Sequence, residues 1–269
     1  MPESQPYAVG YDQETMSFFA CRRASTHARF FLPHLKPGMW LLDFGSGTGS
    51  LTIDLAAAVT PAEAIGVDIE ASQIAHATER ASRAGVTNVR FQTGSALALP
   101  FPDETFDAVF SHGVIEHLAE PVRALREIRR VLKEGGVLGV RHADFGGFLL
   151  EPAPPPLDRF TGLFIELLRH NGGDPHAGRH QPRWLLDAGF SRFHLSASYD
   201  CWTETAESRI ANAHFLSSLT SRSAFAKQIL QAGLADKATL EALGEAFLRW
   251  GKLPEAFAAE AWTEAVAWK

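Results

Sequence analysis

The segment best suited to bind a cofactor is an apolar run that breaks into alternating glycines, residues 41–50 (LLDFGSGTGS). This pattern predicts a buried strand that turns sharply into a helix, because glycine takes positive φ values and lets a ligand approach the bare backbone. The first N–H groups of that helix would point at the bound molecule. A second apolar run ends in Asp68, nineteen residues after Gly49, which is the spacing at which an acid reads a ribose. The two motifs together predict a site for a nucleotide-type cofactor.

The glycine spacing argues against a dinucleotide. A dinucleotide turn has a third glycine three residues after the second, and Ser50 occupies that position. The glycine pattern after Asp43 instead resembles the first motif of class I S-adenosylmethionine (SAM) dependent methyltransferases. The resemblance covers about residues 35–145 and is closest to the small-molecule branch related to ubiquinone and menaquinone C-methyltransferases, methyltransferase domain type 11. The other matching segments are Gly94-Ser95-Ala96, Leu99-Pro100-Phe101, Phe106-Asp107-Ala108-Val109, Glu116-His117-Leu118, residues 130–136 and, more loosely, residues 185–190.

The resemblance implies SAM as the cofactor and assigns contacts to it. The glycine turn would lie against the methionine portion of SAM, Asp68 would accept hydrogen bonds from the ribose hydroxyls, and Ile69 would cover the adenine. The alternative for Asp68 is a helix N-cap, and the alternative for Ser95, which stands where related sequences carry Asp, is a turn residue. The cofactor-binding residues predicted in this way are Asp43, Gly45, Ser46, Gly47, Thr48, Gly49, Asp68, Ile69, Gly94, Ser95, Ala96, Ser111, His112 and His117.

Three side chains near the ends of the fourth and fifth predicted strands are candidates for proton transfer. The sulfonium of SAM is already a leaving group, so the protein mainly aligns the acceptor and, where needed, accepts a proton. His142 is the first candidate for a general base and His112 the second, with Asp144 beside them. For each histidine a buried structural imidazole is an equal alternative.

One further cluster, His170, Asp174, His176 and His180, has metal-ligating residue types. Its spacing around Asn171-Gly172-Gly173 predicts a flexible loop rather than ligands fixed on a helix. We therefore expect no metal and predict a lid or substrate-contacting loop, in which Arg179 could meet an anionic group of the substrate. A solvated surface loop is the alternative.

The composition favours a globular enzyme that acts on a small molecule. The chain has 269 residues, enough for one α/β core with a cap, and its net charge of −6 offers no basic face to a nucleic acid. Two cysteines, the polar start of the chain and the lack of an apolar run long enough for a membrane span predict a cytoplasmic protein. A homodimer is left open.

Short apolar runs alternate with helical patterns, which predicts an α/β fold with a doubly wound, mostly parallel sheet. A proline run at 151–156 marks the exit into appended structure. The predicted domains are an N-terminal helical lid at 1–34, a Rossmann-like SAM-binding core at 35–150, and a helical cap with the last two strands, the final one antiparallel, at 151–269. Strands are expected near 40–44, 64–68, 89–92, 107–111, 137–142, 192–199 and 257–268, and helices near 11–32, 48–59, 71–84, 120–132, 158–170 and 203–250.

The opening segment carries more aromatic residues than a spacer needs, among them Tyr7 and Tyr11, and is predicted to fold over the cofactor. Simple packing of its Phe side chains on the sheet is the alternative. The leading functional prediction is a SAM-dependent methyltransferase acting on a small acceptor. A SAM-binding enzyme that does not methylate, such as a cyclase, is the second prediction, and a nicotinamide-dependent oxidoreductase is the third.

Overall fold

The computed structural model describes residues 6–269 and contains, within them, one eight-stranded sheet. Five parallel strands form its first part in the order β3-β2-β1-β4-β5, with β1 in the middle. The chain therefore winds first to one side of β1 and then to the other, and the crevice at this reversal is where such sheets bind ligands. These strands are β1 Leu41–Phe44, β2 Ala64–Asp68, β3 Val89–Thr93, β4 Phe106–His112 and β5 Leu132–Ala143.

Antiparallel strands complete the sheet. Strand β8 (Phe257–Trp268) lies between β5 and β7 (Arg192–Cys201), and the short β6 (Leu149–Glu151) pairs with the beginning of β8. Because β5 ends at Ala143 and β6 begins at Leu149, β8 has a gap in its pairing on that side. The predicted doubly wound sheet with an antiparallel end is confirmed.

Helices cover both faces of the parallel strands, as crossover connections require. One apolar cluster packs α5 and α7 against the sheet through residues such as Leu125 and Leu185, and another packs the opening segment and α3 on the other face through Phe31 and Leu55. The helices of this part are α3 Ser50–Val59, α4 Ala71–Ala84, α5 Pro121–Val131, α6 Phe160–His170 and α7 Ala177–Asp187.

The opening segment is not the single helix predicted at 11–32. It forms α1 (Gln13–Phe19) and the one-turn α2 (Ala24–His27), followed by a 3₁₀ turn at 32–34. Helix α2 starts where the Ala24 N–H donates to Asp54 Oδ2 at 3.0 Å, a contact across thirty residues of sequence. The break lets residues 20–23 turn over the sheet, and residues 1–5 of the predicted lid lie outside the described part.

A helical cap interrupts the last strand pair, as expected. Helices α8 (Ala206–Ser221), α9 (Ala224–Gln231) and α10 (Lys237–Trp250) lie between β7 and β8. With α6 they form a third apolar cluster. Stacked and edge-to-face rings fill its centre, for example Phe164 against Phe225 at 5.3 Å between ring centres.

Neither cysteine is in a disulfide; both Cys21 and Cys201 are free and exposed. Among residues 6–269, every helix falls short of the length and apolar character that a membrane crossing requires.

Candidate functional site

The glycine turn after β1 has the geometry of a ligand cradle. Gly45, Gly47 and Gly49 all have positive φ, at 77°, 49° and 75°. A Cβ on Gly45 would lie 2.3 Å from Val114 Cγ2, so this position needs glycine for packing. Nothing lies within 4 Å of the corresponding point at Gly47, and the buried Ser46 Oγ has no partner within the described chain. The turn thus presents open backbone and an unmatched hydroxyl, as a small polar ligand would require.

Asp68, the last residue of β2, contacts this turn. Its carboxylate accepts hydrogen bonds from the N–H groups of Gly47 (2.9 Å) and Glu70 (3.0 Å). Burial raises the pKa of Asp68, and these backbone donors oppose the increase. The N-cap of α4 is Glu70, which accepts from the Ser72 N–H, so Asp68 is not the capping residue. Beside it Ile69 is 59% exposed, which leaves an apolar surface free for a flat ring.

The other predicted cofactor residues surround the same edge of the sheet. Asp43 lies behind the turn: its buried carboxylate accepts from Thr52 Oγ1 at 2.6 Å, and burial raises its pKa to about 7. Ser95, after β3, accepts from the Leu97 N–H at 3.2 Å and so makes the turn contact that was its alternative. Ser111, at the end of β4, is fully buried. Thr48, Gly94, Ala96 and His117 stand at the turns that follow β1, β3 and β4.

A second feature, which we call the acceptor cavity, opens next to Gly113 beyond β4. Its empty volume is about 710 Å³, including space open to solvent. Among residues 6–269, ten of the nineteen that line it are Phe, Tyr or Trp, so it suits a flat, largely apolar molecule. The lining comes from the opening segment, the turns after β4 and β5, the helical cap and β8. These aromatic residues are Tyr7, Phe18, Phe19, Phe145, Phe148, Phe160, Phe164, Trp202, Phe215 and Trp262.

The opening segment connects the two sites. Tyr7 lines the acceptor cavity, with its ring edge-on to His117 at 4.8 Å and tilted against Tyr11 at 5.1 Å. Burial raises the pKa of Tyr11, and the Asp68 carboxylate raises it further. The segment therefore reaches from the edge that carries Asp68 to the cavity, and its role as a lid stays a prediction.

The polar lining of the cavity is concentrated in four side chains, Arg22, Glu116, His117 and Glu260. A Cβ placed on Gly113 would lie 3.6 Å from Arg22 Nη1 and 3.8 Å from Glu116 Oε1. Burial lowers the pKa of His117, which keeps its imidazole neutral. Burial also raises the pKa of Glu260, to about 8. Two acids whose pKa values are shifted in opposite directions, Glu116 and Glu260, thus line the cavity.

The two histidines predicted as bases do not line this cavity. His142 is completely buried, with Nδ1 3.4 Å from Glu116 Oε2. Burial would raise the pKa of Glu116, but the interaction with His142 holds it below its ordinary value. His112 is packed between the rings of Trp262 (4.6 Å between centres) and His27 (5.4 Å), and burial lowers its pKa well below the ordinary value. Both positions agree with the alternative of a structural imidazole.

Asp144 and Arg179 bind each other. Arg179 donates from Nε and Nη2 to the two Asp144 carboxylate oxygens, at 2.7 Å each. Burial would raise the pKa of Asp144, but Arg179 holds it below the ordinary value. These two bonds attach α7 to the end of β5, while the Arg179 side chain stays 55% exposed, so a contact with an anionic substrate remains a prediction.

The predicted loop at 170–180 is largely ordered by helices. His170 ends α6, His176 is the N-cap of α7, and His180 lies inside α7 with Nδ1 2.5 Å from Asp174 Oδ2. Across residues 6–269, no group of three or more His, Cys, Asp or Glu side chains is arranged to hold a metal ion.

Glu260 and Trp262 are the main cavity residues that the sequence reading missed. They lie on β8, whose sequence FAAEAWTEAVAW is otherwise apolar. An acid on the buried face of such a strand requires a polar partner or a ligand. The acids in the sequence of β8 therefore indicate that polar groups meet this strand.

Comparison with known proteins gives a consistent result. A family model described as a methyltransferase domain matches residues 35–158. The chain is 32% identical over 206 residues to an uncharacterized methyltransferase of Schizosaccharomyces pombe, covering 74% of each chain. It is 29% identical over 286 residues to a probable methyltransferase, ltbC, of Aspergillus luteorubrus, covering 99% of this chain and 98% of the relative.

Among solved structures, the [4+2]-cyclase SpnF superposes with a TM-score of 0.55 at 23% identity, covering 95% of this chain and 81% of that one. At this identity the similarity supports the fold alone. The glycine turn, Asp68 and Ile69 lie inside the segment that the family model matches.

Proposed function

Since the chain belongs to the SAM-dependent methyltransferases, we propose that its acceptor is a small molecule with a flat, mostly apolar body, bound in the acceptor cavity. SAM is the cofactor, and it would supply an electrophilic methyl group on a sulfonium leaving group. The single observation that carries the proposal is the aromatic lining of a cavity that opens beside Gly113, at the carboxyl edge of β4.

The residues of the chain fit the cofactor. Open backbone at Gly47, an unmatched hydroxyl at Ser46 and an exposed apolar surface at Ile69 follow one another along the sheet edge. Asp68 would hold the ribose, and the turn would face the amino-acid end. The cavity lies on the other side of Gly113, so the acceptor would meet the methyl group there.

In this arrangement the protein acts mainly by alignment and exclusion of water. Rings from the helical cap and from the opening segment enclose the acceptor, and such enclosure strengthens the polar contacts made inside. His142 and His112, the bases favoured by the sequence, would act as positioning residues: His142 through Glu116, and His112 through Trp262. Asp144 would fix the turn that carries Phe145.

The experiment is a transfer assay with isotopically labelled SAM and pooled planar acceptors, with formation of S-adenosylhomocysteine (SAH) as the readout. We expect SAH to appear only with acceptors that carry a flat ring, and SAM and SAH to bind where NAD does not. Phe164→Ala, which widens the cavity far from the glycine turn, should change acceptor preference and leave SAH affinity within about threefold. Transfer to linear polar acceptors alone would contradict the proposal.

A cyclase-like reaction remains the second candidate, since the fold alone does not decide between methyl transfer and another reaction beside bound SAM. Conversion of an acceptor without SAH release would identify it. The remaining predictions are that the reaction takes place in the cytoplasm and that no nucleic acid is bound, which the net charge of −6 supports. Whether the protein is a homodimer is read from its mass in solution.

A further inference from the structure

An arginine and a glutamate, Arg22 and Glu260, line the acceptor cavity. Among residues 6–269, neither the Arg22 guanidinium nor the Glu260 carboxylate makes a side-chain hydrogen bond or an ion pair. Arg22 is held by aromatic rings, 4.3 Å from the Phe19 ring centre and 5.6 Å from that of Trp262. A carboxylate that is only 9% exposed and unpaired is costly, unless a ligand completes the site.

The nearby Arg141 cannot serve as the missing partner of Glu260. It donates to both Asp200 oxygens at 2.8 and 3.1 Å, to Ser198 Oγ at 3.0 Å and to Glu264 Oε1 at 3.3 Å. Four of its hydrogen bonds thus go to side chains of β7 and β8. Of these two arginines, only Arg22 lines the cavity.

The position of Glu260 in the sheet explains why it faces the cavity. Its neighbour on β7 is Asp200, but on the other side of β8 it falls in the gap between the end of β5 and the start of β6. That gap holds the turn carrying Phe145 and Phe148, which also line the cavity. Glu260 therefore lies beside this turn and lines the cavity together with it.

This inference rests on the proposed function. We propose that the acceptor carries an acidic ring hydroxyl, such as that of a phenol, that Glu260 accepts the proton of this hydroxyl, and that Arg22 binds the resulting oxyanion. The O–H bond of the acceptor breaks and its proton passes to a Glu260 carboxylate oxygen. The phenolate oxygen of the acceptor would then form its bond to the methyl carbon supplied by SAM as the carbon–sulfur bond breaks, which gives the methyl ether of the acceptor and SAH. Glu260 returns the proton to solvent when the products leave.

The charges around Glu260 agree with this role. Burial raises its pKa to about 8, with Asp200 and Glu116 raising it further and Arg22 and Arg141 lowering it. A phenol ordinarily ionises near pH 10, and the Arg22 charge would bring it toward the pKa of Glu260, so that the proton transfer is nearly balanced. Of the other titratable groups in the cavity, burial raises the pKa of Tyr7 and lowers that of His117, so neither competes for the proton near neutral pH.

The test uses para-nitrophenol and the SAH-saturated protein, because the phenolate absorbs visible light and no turnover is needed. If the bound state is phenolate beside protonated Glu260, wild-type affinity for the phenolate should fall about tenfold per pH unit above about pH 8. Glu260→Gln should bind the phenolate with no such fall, and Glu260→Asp should restore it. Arg22→Met should weaken phenolate binding at every pH by about tenfold or more.

Glu264→Gln is the matched control, since it removes a carboxylate of the same strand that bonds to Ser196, Ser198 and Arg141 and does not line the cavity, and the amide oxygen can still accept from Arg141. It should keep the wild-type pH dependence, and thermal unfolding will show that each variant is folded. The inference is overturned if the phenolate does not bind, if its wild-type affinity is independent of pH, or if Glu260→Gln keeps the fall. Failure of the protein to bind SAH would instead overturn the proposed function.

Discussion

The contact between Asp68 and the cofactor can be tested through the two backbone bonds that already hold its carboxylate. Asp68→Asn keeps the shape and one acceptor oxygen for the Gly47 or Glu70 N–H, whereas Asp68→Ala leaves both donors without a partner. A hydrogen bond to a charged group contributes about 1.5–3 kcal/mol, which corresponds to roughly 10-fold to 150-fold in Kd. For SAH affinity we expect Asp68→Asn to cost an amount near the lower end of this range. Asp68→Ala should cost an amount near or beyond the upper end, because that substitution also loosens the turn.

Calorimetric titration with SAH measures this effect, and denaturant unfolding measures the loss of stability separately. Glu70→Gln is the control, because Glu70 caps α4 two residues away, and the amide can still accept from the Ser72 N–H. It should leave SAH affinity within about twofold. If Asp68→Asn binds SAH as tightly as the wild type while its unfolding midpoint falls, Asp68 serves the turn alone and the ribose contact is refuted.

Three further outcomes concern stability. Gly45→Ala should lower the free energy of unfolding by at least about 2 kcal/mol in denaturant titrations, since φ is positive and the new Cβ would meet Val114; an unchanged midpoint would show that the turn relaxes. Phe225→Ala, in the core of the cap, should cost about 3–5 kcal/mol by the same measurement, and a loss below 1 kcal/mol would contradict a packed cap. The pKa of Asp144 is depressed in the folded protein, so its pair with Arg179 stabilises the fold above the ordinary pKa of 3.8, and this stabilisation is lost as pH falls through the lower folded pKa. The free energy of unfolding, measured against pH, should therefore lack this acid-dependent loss in Asp144→Asn. The same pH profile in wild type and variant would show that the Asp144–Arg179 pair is not the cause of the loss.

The parallel core was predictable because its signals are local. β1, β2 and β4 are short, mostly apolar runs, and the turn after β1 is specified by glycines whose positive φ no other residue adopts easily. The helical stretches between β7 and β8 also have their own periodicity. The opening segment failed as one helix because its break depends on Asp54, a partner that no local pattern shows.

The two histidines predicted as bases, His112 and His142, show a different limit of prediction from sequence. Both lie at the predicted sheet edge, but alternation along β5 sends His142 to the face opposite Arg141, and the cavity is bounded by segments far away in sequence. Glu260 is brought to the site by the pairing of β8, which is a long-range event. The sequence therefore predicts the sheet edge beside which the cavity opens, but not which side chains line that cavity.

The insertion of β8 between β5 and β7 also sets an order of assembly. When the ribosome has produced residues up to about 256, β7 still lacks its neighbour and the outer edge of β5 is unpaired, while the cap helices can already pack through contacts close in sequence. The nascent protein would then hold a nearly complete cofactor half beside an exposed sheet edge. Until Phe257–Trp268 pairs with both β5 and β7, that edge is open to edge-to-edge association with another chain.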